Sequence, residues 1–307
     1  MLFRLAHISD PHVGPMPAVP VRALMNKRIL GYLSWHVRRR QIHRRAILDL
    51  LATDLRAREP DHVVVTGDLT NISLPAEFEL ATEWLSTLGA PDRISVVPGN
   101  HDAYVAVPYG SSWARWAAYM ATEQGADPVR ASDGGPDFPF IRRRDSVAVI
   151  GLSTAFPSRA GSAAGRLGPR QLDALERWLE RMVGEDLFRC VLLHHPPQDG
   201  LMSPRKHLID AASFRAIIER AGAELVLHGH GHTLSIGEIK GPKGPVPVIG
   251  VPSASAVAGH HWPGSRYHVY DIGRRDESWT IRLRARSLTR ESVAFADAES
   301  RLLEIAR

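Results

Sequence analysis

A single cysteine, Cys190, stands among the 307 residues. No disulfide within the chain and no thiolate metal cage is therefore open to it, which sets aside dithiol redox chemistry and zinc-finger-type sites. Its place inside an apolar run reads as a buried core thiol. No run approaches the roughly 20 apolar residues of a membrane-spanning helix, and the start MLFRLAHISD lacks the basic-then-apolar order of a secretory signal, so the cytoplasm is the expected compartment. Internal repeats and low-complexity tracts are missing too. No long Pro, Gly and Ser linker interrupts the pattern, so one domain over 1–307 is expected. Acid is absent from one stretch: residues 11–48 hold Arg22, Lys27, Arg28, Arg38, Arg39, Arg40, Arg44 and Arg45 without one Asp or Glu. That stretch carries +8 against +5 for the whole chain, leaving −3 on the rest. Such a concentration suggests acidic partners or substrates.

What is present is a hydrophobic content of 44%, enough for a substantial core, and fifteen histidines, the commonest metal ligand and the usual general acid or base. Short apolar or β-branched runs at Leu2–Ile8, His62–Val65, Ile94–Val97, Val147–Leu152, Cys190–Leu193, Leu225–Leu227 and Val246–Val251 predict buried strands. Helical patterns lie between several of them, at Ile42–Arg58, Pro75–Leu88, Pro169–Met182 and Ala211–Ala221. This alternation predicts an α/β layered fold. After Gly222 the helices stop, and Tyr267–Ile272 with Trp279–Arg286 predict antiparallel strands in a β-rich C-terminal portion from about 245. A basic insertion at about 15–45 carries Met25, Ile29, Leu33 and Val37 at every fourth residue, an apolar stripe if helical.

Five polar clusters mostly follow apolar runs, which places them at strand ends, where open α/β sheets build their sites. They are Asp10-Pro11-His12, Gly67-Asp68, Gly99-Asn100-His101-Asp102, His194-His195-Pro196-Pro197 and Gly229-His230-Gly231-His232. Each alone is compatible with a capped turn or a loop of satisfied histidines. Together they supply two carboxylates, one amide oxygen and four imidazoles with one histidine in reserve, donors that suit hard or borderline divalent metals. Such an inventory fits two ions sharing a bridging carboxylate, the two-metal hydrolase design.

The order D-x-H, G-D, G-N-H-D, H, G-H-x-H over residues 10–232 resembles the calcineurin-like metallophosphoesterase superfamily. The His-His-Pro-Pro form is similar to the bacterial branch of class III cyclic nucleotide phosphodiesterases and glycerophosphodiesterases. The resemblance implies a four-layer αββα sandwich of two facing mixed sheets. It implies Asp10, His12 and His232 on one metal, Asn100, His194 and His230 on the other, and Asp68 between them. His194 is preferred to His195 because relatives often keep a single histidine there. Two divalent transition-metal ions are implied, Mn or Fe favoured and Zn admitted, with a bridging hydroxide attacking phosphorus. His101 would be the general acid and Asp102 would orient its ring. Asn71 stands where purple acid phosphatases carry a tyrosine ligand, which sets aside a tyrosinate–iron centre. His228 reads as a strand-end structural residue, Arg142-Arg143-Arg144 as a solvated basic turn, and His260 and His261 have no assigned role.

The expected function is phosphodiester hydrolysis on a small phosphate ester. A non-catalytic scaffold is disfavoured because every ligand position is filled. The rival reading is a lipid phosphate or lipid pyrophosphate hydrolase associated with an anionic membrane surface through residues 21–45, where Trp35 and the apolar stripe accompany the charge. A nuclease is a weaker third reading, since the chain has no dedicated nucleic-acid module and its basic residues accompany aliphatic rather than stacking side chains.

Overall fold

Strands buried on both faces read as unbroken apolar runs, and those runs build the centre of the protein. The computed structural model describes residues 2–123, 137–259, 262–276, 278–291 and 293–306. In chain order the strands are β1 (Phe3–Ile8), β2 (His62–Val65), β3 (Ile94–Val96), β4 (Phe140–Arg144), β5 (Val147–Gly151), β6 (Phe188–Leu192) and β7 (Leu225–His228). They continue with β8 (Ser235–Lys240), β9 (Pro245–Gly250), a short ribbon β10 (Ala258–Gly259) and β11 (Trp262–Pro263), then β12 (Arg266–Arg275), β13 (Ser278–Leu288) and β14 (Phe295–Ala306). The helices are α1 (Arg28–Ser34), α2 (Arg40–Ile42), α3 (Arg45–Arg56), α4 (Pro75–Leu88), α5 (Pro169–Arg181) and α6 (Ala211–Ala221).

Two six-stranded mixed sheets result, ordered β14-β13-β12-β1-β2-β3 and β4-β5-β6-β7-β9-β8. The runs β1-β2-β3 and β5-β6-β7-β9 are parallel, and the remaining pairings are antiparallel. Side-chain alternation fixes the layers. Val147, Val149, Cys190, Leu192, Leu225 and Leu227 join the core shared with the first sheet, while Ala148, Ile150, Val191, Leu193 and Val226 join a second core with Leu175 and Trp178 of α5 and Phe214 and Ile218 of α6. Leu48 and Leu51 of α3 and Phe78 and Trp84 of α4 close the first sheet's other face. This is the helix–sheet–sheet–helix order expected, and Cys190 is buried as expected.

Helix boundaries follow local chemistry. Pro75 opens α4, where its missing N–H loses nothing, and the Glu77 carboxylate accepts hydrogen bonds from the backbone of Asn71, Ile72 and Leu74 at 2.8–3.0 Å. The predicted helix from Ile42 to Arg58 is interrupted. His43 and Arg44 are extended, because His43 bridges Ala256 and Arg44 donates its N–H to the Ser255 carbonyl at 3.0 Å, so α3 starts only at Arg45.

The basic turn at 142–144 is corrected: Phe140–Arg144 is strand β4. Arg142 is buried, and its guanidinium donates to the carbonyls of Ile94 (2.8 Å) and Ala121 (3.1 Å), as well as to those of Pro91 and Ala118. Four acceptors outweigh the cost of burying one cation. His260 and His261 lie outside the described residues.

Candidate metal centre

The parallel strands end on one edge. Asp10 and His12 follow β1, Asp68 follows β2, Asn100 to Asp102 follow β3, His194 and His195 follow β6, and His230 and His232 follow β7. Bending a chain sharply past a strand forces unusual dihedrals. Of nine non-glycine residues with positive φ among those described, five are Asp10, His12, Asp68, His230 and His232. Each costs on the order of 1 kcal/mol, and their concentration here marks a functional rather than a folding constraint. Close approach explains two motif glycines: a Cβ on Gly99 would collide with the Asp68 carboxylate, and one on Gly229 with Ser9 Oγ and Asp10 Oδ2.

Backbone groups aim the side chains. His194 donates Nδ1–H to the Thr66 carbonyl (2.7 Å), and His12 donates Nδ1–H to that of Thr70 (3.1 Å). Each ring therefore turns its Nε2 inward. The Nε2 of His194 lies 3.2 Å from Asn100 Oδ1 and 3.3 Å from Asp68 Oδ2. The Nε2 of His12 lies 3.3 Å from His232 Nε2 and 3.9 Å from Asp68 Oδ2. His232 Nε2 is 3.0 Å from Asp10 Oδ1, while Asp10 Oδ2 accepts from Ser9 Oγ (2.6 Å) and the His230 backbone (3.0 Å). His230 Nε2 is buried without a hydrogen-bond partner, and its ring centroid is 5.1 Å from that of His194. Lone pairs facing lone pairs in a buried site repel unless a cation lies between them, so this donor set fits divalent metal. One group comprises Asp10, His12, Asp68 and His232, another His194, His195 and His230, with ligand atoms in each within 4.8 Å of one another. Both ring nitrogens of His195 are engaged, with Thr154 Oγ1 (2.7 Å) and the Ala163 carbonyl (3.0 Å), which leaves His194 as the better donor.

Electrostatics agree for Asp68, His12 and His230. Burial opposes ionisation of Asp68, but His194 and His101 beside it hold its carboxyl well below the usual range. Burial lowers His12 and His230 far below an ordinary histidine, assisted by Arg39 and His195 respectively, so both are neutral as ligation requires. His194 runs the other way: burial would lower it, yet Asp68 pulls it up to about 9, so with no cation between them its Nε2 holds a proton against Asp68 Oδ2 that a metal would have to displace.

His101 donates its backbone N–H to Asp68 Oδ1 (2.7 Å) and Nδ1–H to the Asn71 carbonyl (2.5 Å). The expected role of Asp102 as orienter of that ring is corrected. Its Oδ1 accepts from the Thr70 backbone (2.8 Å) and its Oδ2 from that of Gly99 (2.9 Å), so it braces the loops carrying Asp68 and Asn100. Burial, then Asp68, raises Asp102 to about 7. His228 is buried with Nδ1–H donated to the Gly229 carbonyl (3.0 Å).

Two site residues come from the basic segment and were not anticipated. Arg39 places Nη2 2.9 Å from the ring nitrogens of His12 and Nη1 3.1 Å from those of His101. His43 sits with its ring centroid 4.5 Å from that of His12, its Nδ1 held 2.8 Å from Ser255 Oγ, and with His12 and His232 it forms a third possible ligand group. A cavity of about 580 Å³ is lined by Asp68, Asn100, His230 and His232 together with Lys27, Leu30, Arg38, Arg39, Arg205 and Lys206.

Fold and site together define a metal-binding α/β sandwich with a cationic pocket over its ligands. The chain belongs to the calcineurin-like phosphoesterases, whose family model matches residues 3–234. It is 30% identical over 185 residues to a probable cyclic nucleotide phosphodiesterase of Synechococcus sp., spanning 58% of this chain and 60% of that relative. It is 26% identical over 242 residues to the glycerophosphodiester phosphodiesterase GpdQ of Enterobacter lignolyticus, spanning 76% of this chain and 72% of that one. Among solved structures, a dimetal phosphatase of Danio rerio superposes with a TM-score of 0.62 at 12% identity, covering 99% and 98% of the two chains, a likeness of fold.

Proposed function

We propose that the protein is a dinuclear metal-dependent phosphodiesterase. The observation that carries this reading is the convergence of imidazole nitrogens and carboxylate or amide oxygens from five strand ends around Asp68. Asp10, His12 and His232 would hold one ion, Asn100, His194 and His230 the other, and Asp68 both. Two divalent ions, Mn or Fe favoured and Zn admitted, would supply positive charge opposite the attacked phosphorus and a nucleophile at neutral pH.

The remaining steps belong to the chain. Arg39, reaching over the centre, binds a phosphoryl oxygen and sets the diester's orientation. With Nδ1–H committed to the Asn71 carbonyl, His101 would deliver a proton through Nε2, which lies 3.1 Å from Arg39 Nη1 in the pocket that both residues line. Burial and then Arg39 hold His101 down at about 3, so the acid role requires the anionic substrate to raise it. Asp102 keeps the Asp68 and Asn100 loops in register. The names of both relatives support a diester as substrate, a cyclic nucleotide or a glycerophosphodiester.

The test is reconstitution with Mn²⁺, Fe²⁺ or Zn²⁺, followed by elemental analysis and initial rates on bis-p-nitrophenyl phosphate. Wild type should hold two ions per chain and turn over. Asp68→Ala should fail to keep the pair and lose activity. A chain loaded with two ions that hydrolyses no diester would end this reading.

A further inference from the structure

The same segment that sends Arg39 into the site turns a different face outward. Between Val21 and Ile42 the chain leaves the strand ends as a 3-10 turn, α1, a π-turn at Trp35–Arg39 and α2. Its underside is pinned. Trp35 is buried against Gly14, Gly31 packs so closely on Ile72 that no Cβ would fit, and Arg28 donates to the carbonyls of Ile72 (2.9 Å) and Ser73 (2.7 Å). Lys27 donates to the Ser158 carbonyl at 3.1 Å.

Its outer side is apolar and uncovered. Val21, Met25, Ile29, Leu30, Leu33 and Val37 are six of the twelve exposed large apolar side chains among the described residues, with Val21, Met25 and Val37 more than three-quarters exposed. Ile29, Leu30 and Leu33 lie on α1, Val21 on the 3-10 turn before it, Met25 between the two and Val37 on the π-turn after it, so the exposed apolar side chains run the length of the segment. Arg22, Arg38, Arg40 and Arg44 are exposed on the same segment, and no acid lies between residues 11 and 48.

We infer that this face docks on an anionic lipid surface, and that the pocket beside it takes a phosphodiester presented at headgroup level. The occupant follows from needing both chemistries at once. A second copy of this chain would set one cationic segment against another. A nucleic acid would answer the arginines and leave the six apolar side chains in water. A membrane interface answers both, burying the stripe at the acyl boundary while anionic headgroups meet the arginines. Leu30 and Arg38 belong to the exposed face and to the pocket wall alike, so docking brings the pocket mouth to the lipid phosphates. The substrate half of this inference rests on the phosphodiesterase reading; the docking half does not.

Cosedimentation separates the two. The metal-loaded protein is mixed with vesicles of phosphatidylcholine alone or of phosphatidylcholine with phosphatidylglycerol, and bis-p-nitrophenyl phosphate turnover is followed in parallel. Wild type should bind the mixed vesicles at low ionic strength, release as salt rises, and ignore phosphatidylcholine. Each cation near an anionic surface contributes about a factor of five, so Arg22→Gln, Arg40→Gln and Arg44→Gln together should weaken binding roughly a hundredfold. Val21→Ser, Leu33→Ser and Val37→Ser together should also release the vesicles, with retention on duplex DNA unchanged. Both triple variants should turn over the soluble diester like wild type, which shows them folded. Wild type that binds neither vesicle, variants that bind as tightly as wild type, or retention on DNA without retention on vesicles would each overturn the inference. Vesicle binding without any diester hydrolysis would support docking and remove the catalytic reading alone.

Discussion

Replacing Arg39 with methionine removes one charge while keeping most of the stem, and its cost can be worked from the geometry. The guanidinium lies about 3 Å from the rings of His12 and His101, so a phosphoryl oxygen held at those rings falls within about 5 Å of it. At an effective dielectric of about 20, opposite unit charges at that separation attract by about 3 kcal/mol. Arg39 is half-buried, and its burial already lowers its hold on the proton. Solvent screening then reduces the attraction to about 2 kcal/mol. That corresponds to a loss of roughly thirtyfold in kcat/KM, with about a hundredfold as the ceiling. The assay is initial rates on bis-p-nitrophenyl phosphate at saturating metal, with metal content measured on the same samples. Arg39→Met should keep both ions. Arg39→Lys should fall between Met and wild type, because a point charge restores attraction without the planar fork. A methionine variant within about threefold of wild type would show that Arg39 does not face the scissile phosphate.

His101→Ala should retain both metals and slow hydrolysis of an alkyl diester by about 10² to 10⁴, with a much smaller defect on p-nitrophenyl esters, whose leaving group needs no proton. Equal defects on both substrates would exclude the acid role. Glu77→Ala should lower stability by about 3 to 5 kcal/mol in a denaturant melt, since three buried backbone N–H groups of the loop after Asp68 lose their acceptor. An unchanged melt would mean that water replaces the carboxylate.

The parallel strands were legible because burial on two faces leaves no polar position to blur the run. Strands β4, β8 and β14 were not anticipated. All three lie at sheet edges, and FIRRR, SIGEIK and FADAESRLLEIA mix charge into the pattern. Arg142 misled most, because its four carbonyl acceptors come from residues 91 to 121 and nothing local announces them. The seven proposed ligands were legible because each follows a strand that the sequence marks. The role expected for Asp102 failed because adjacency to His101 in the chain does not carry its carboxylate to the ring; turn geometry carries it to Gly99 and Thr70 instead.

The segment from 21 to 45 shows where pattern reading stops. A period of four residues identified the apolar stripe but left open whether it packs on the sheet or faces outward; the structure leaves it exposed. Which arginines turn inward could not, because the π-turn at Trp35–Arg39 shifts the helical phase and the contacts of His43 and Arg44 with Ser255 break it again. The structure divides the eight cations. Lys27 and Arg28 bond backbone carbonyls, Arg39 enters the site, and Arg45 pairs with Asp49 at 3.0 Å. Arg22, Arg38, Arg40 and Arg44 are left exposed. Arg22, Arg40 and Arg44 are therefore the cations whose loss should cost docking most, and salt should weaken that docking. Since Arg39 is spent on the site, its loss should depress catalysis and leave vesicle affinity nearly untouched, the reverse of what Arg40→Gln should do.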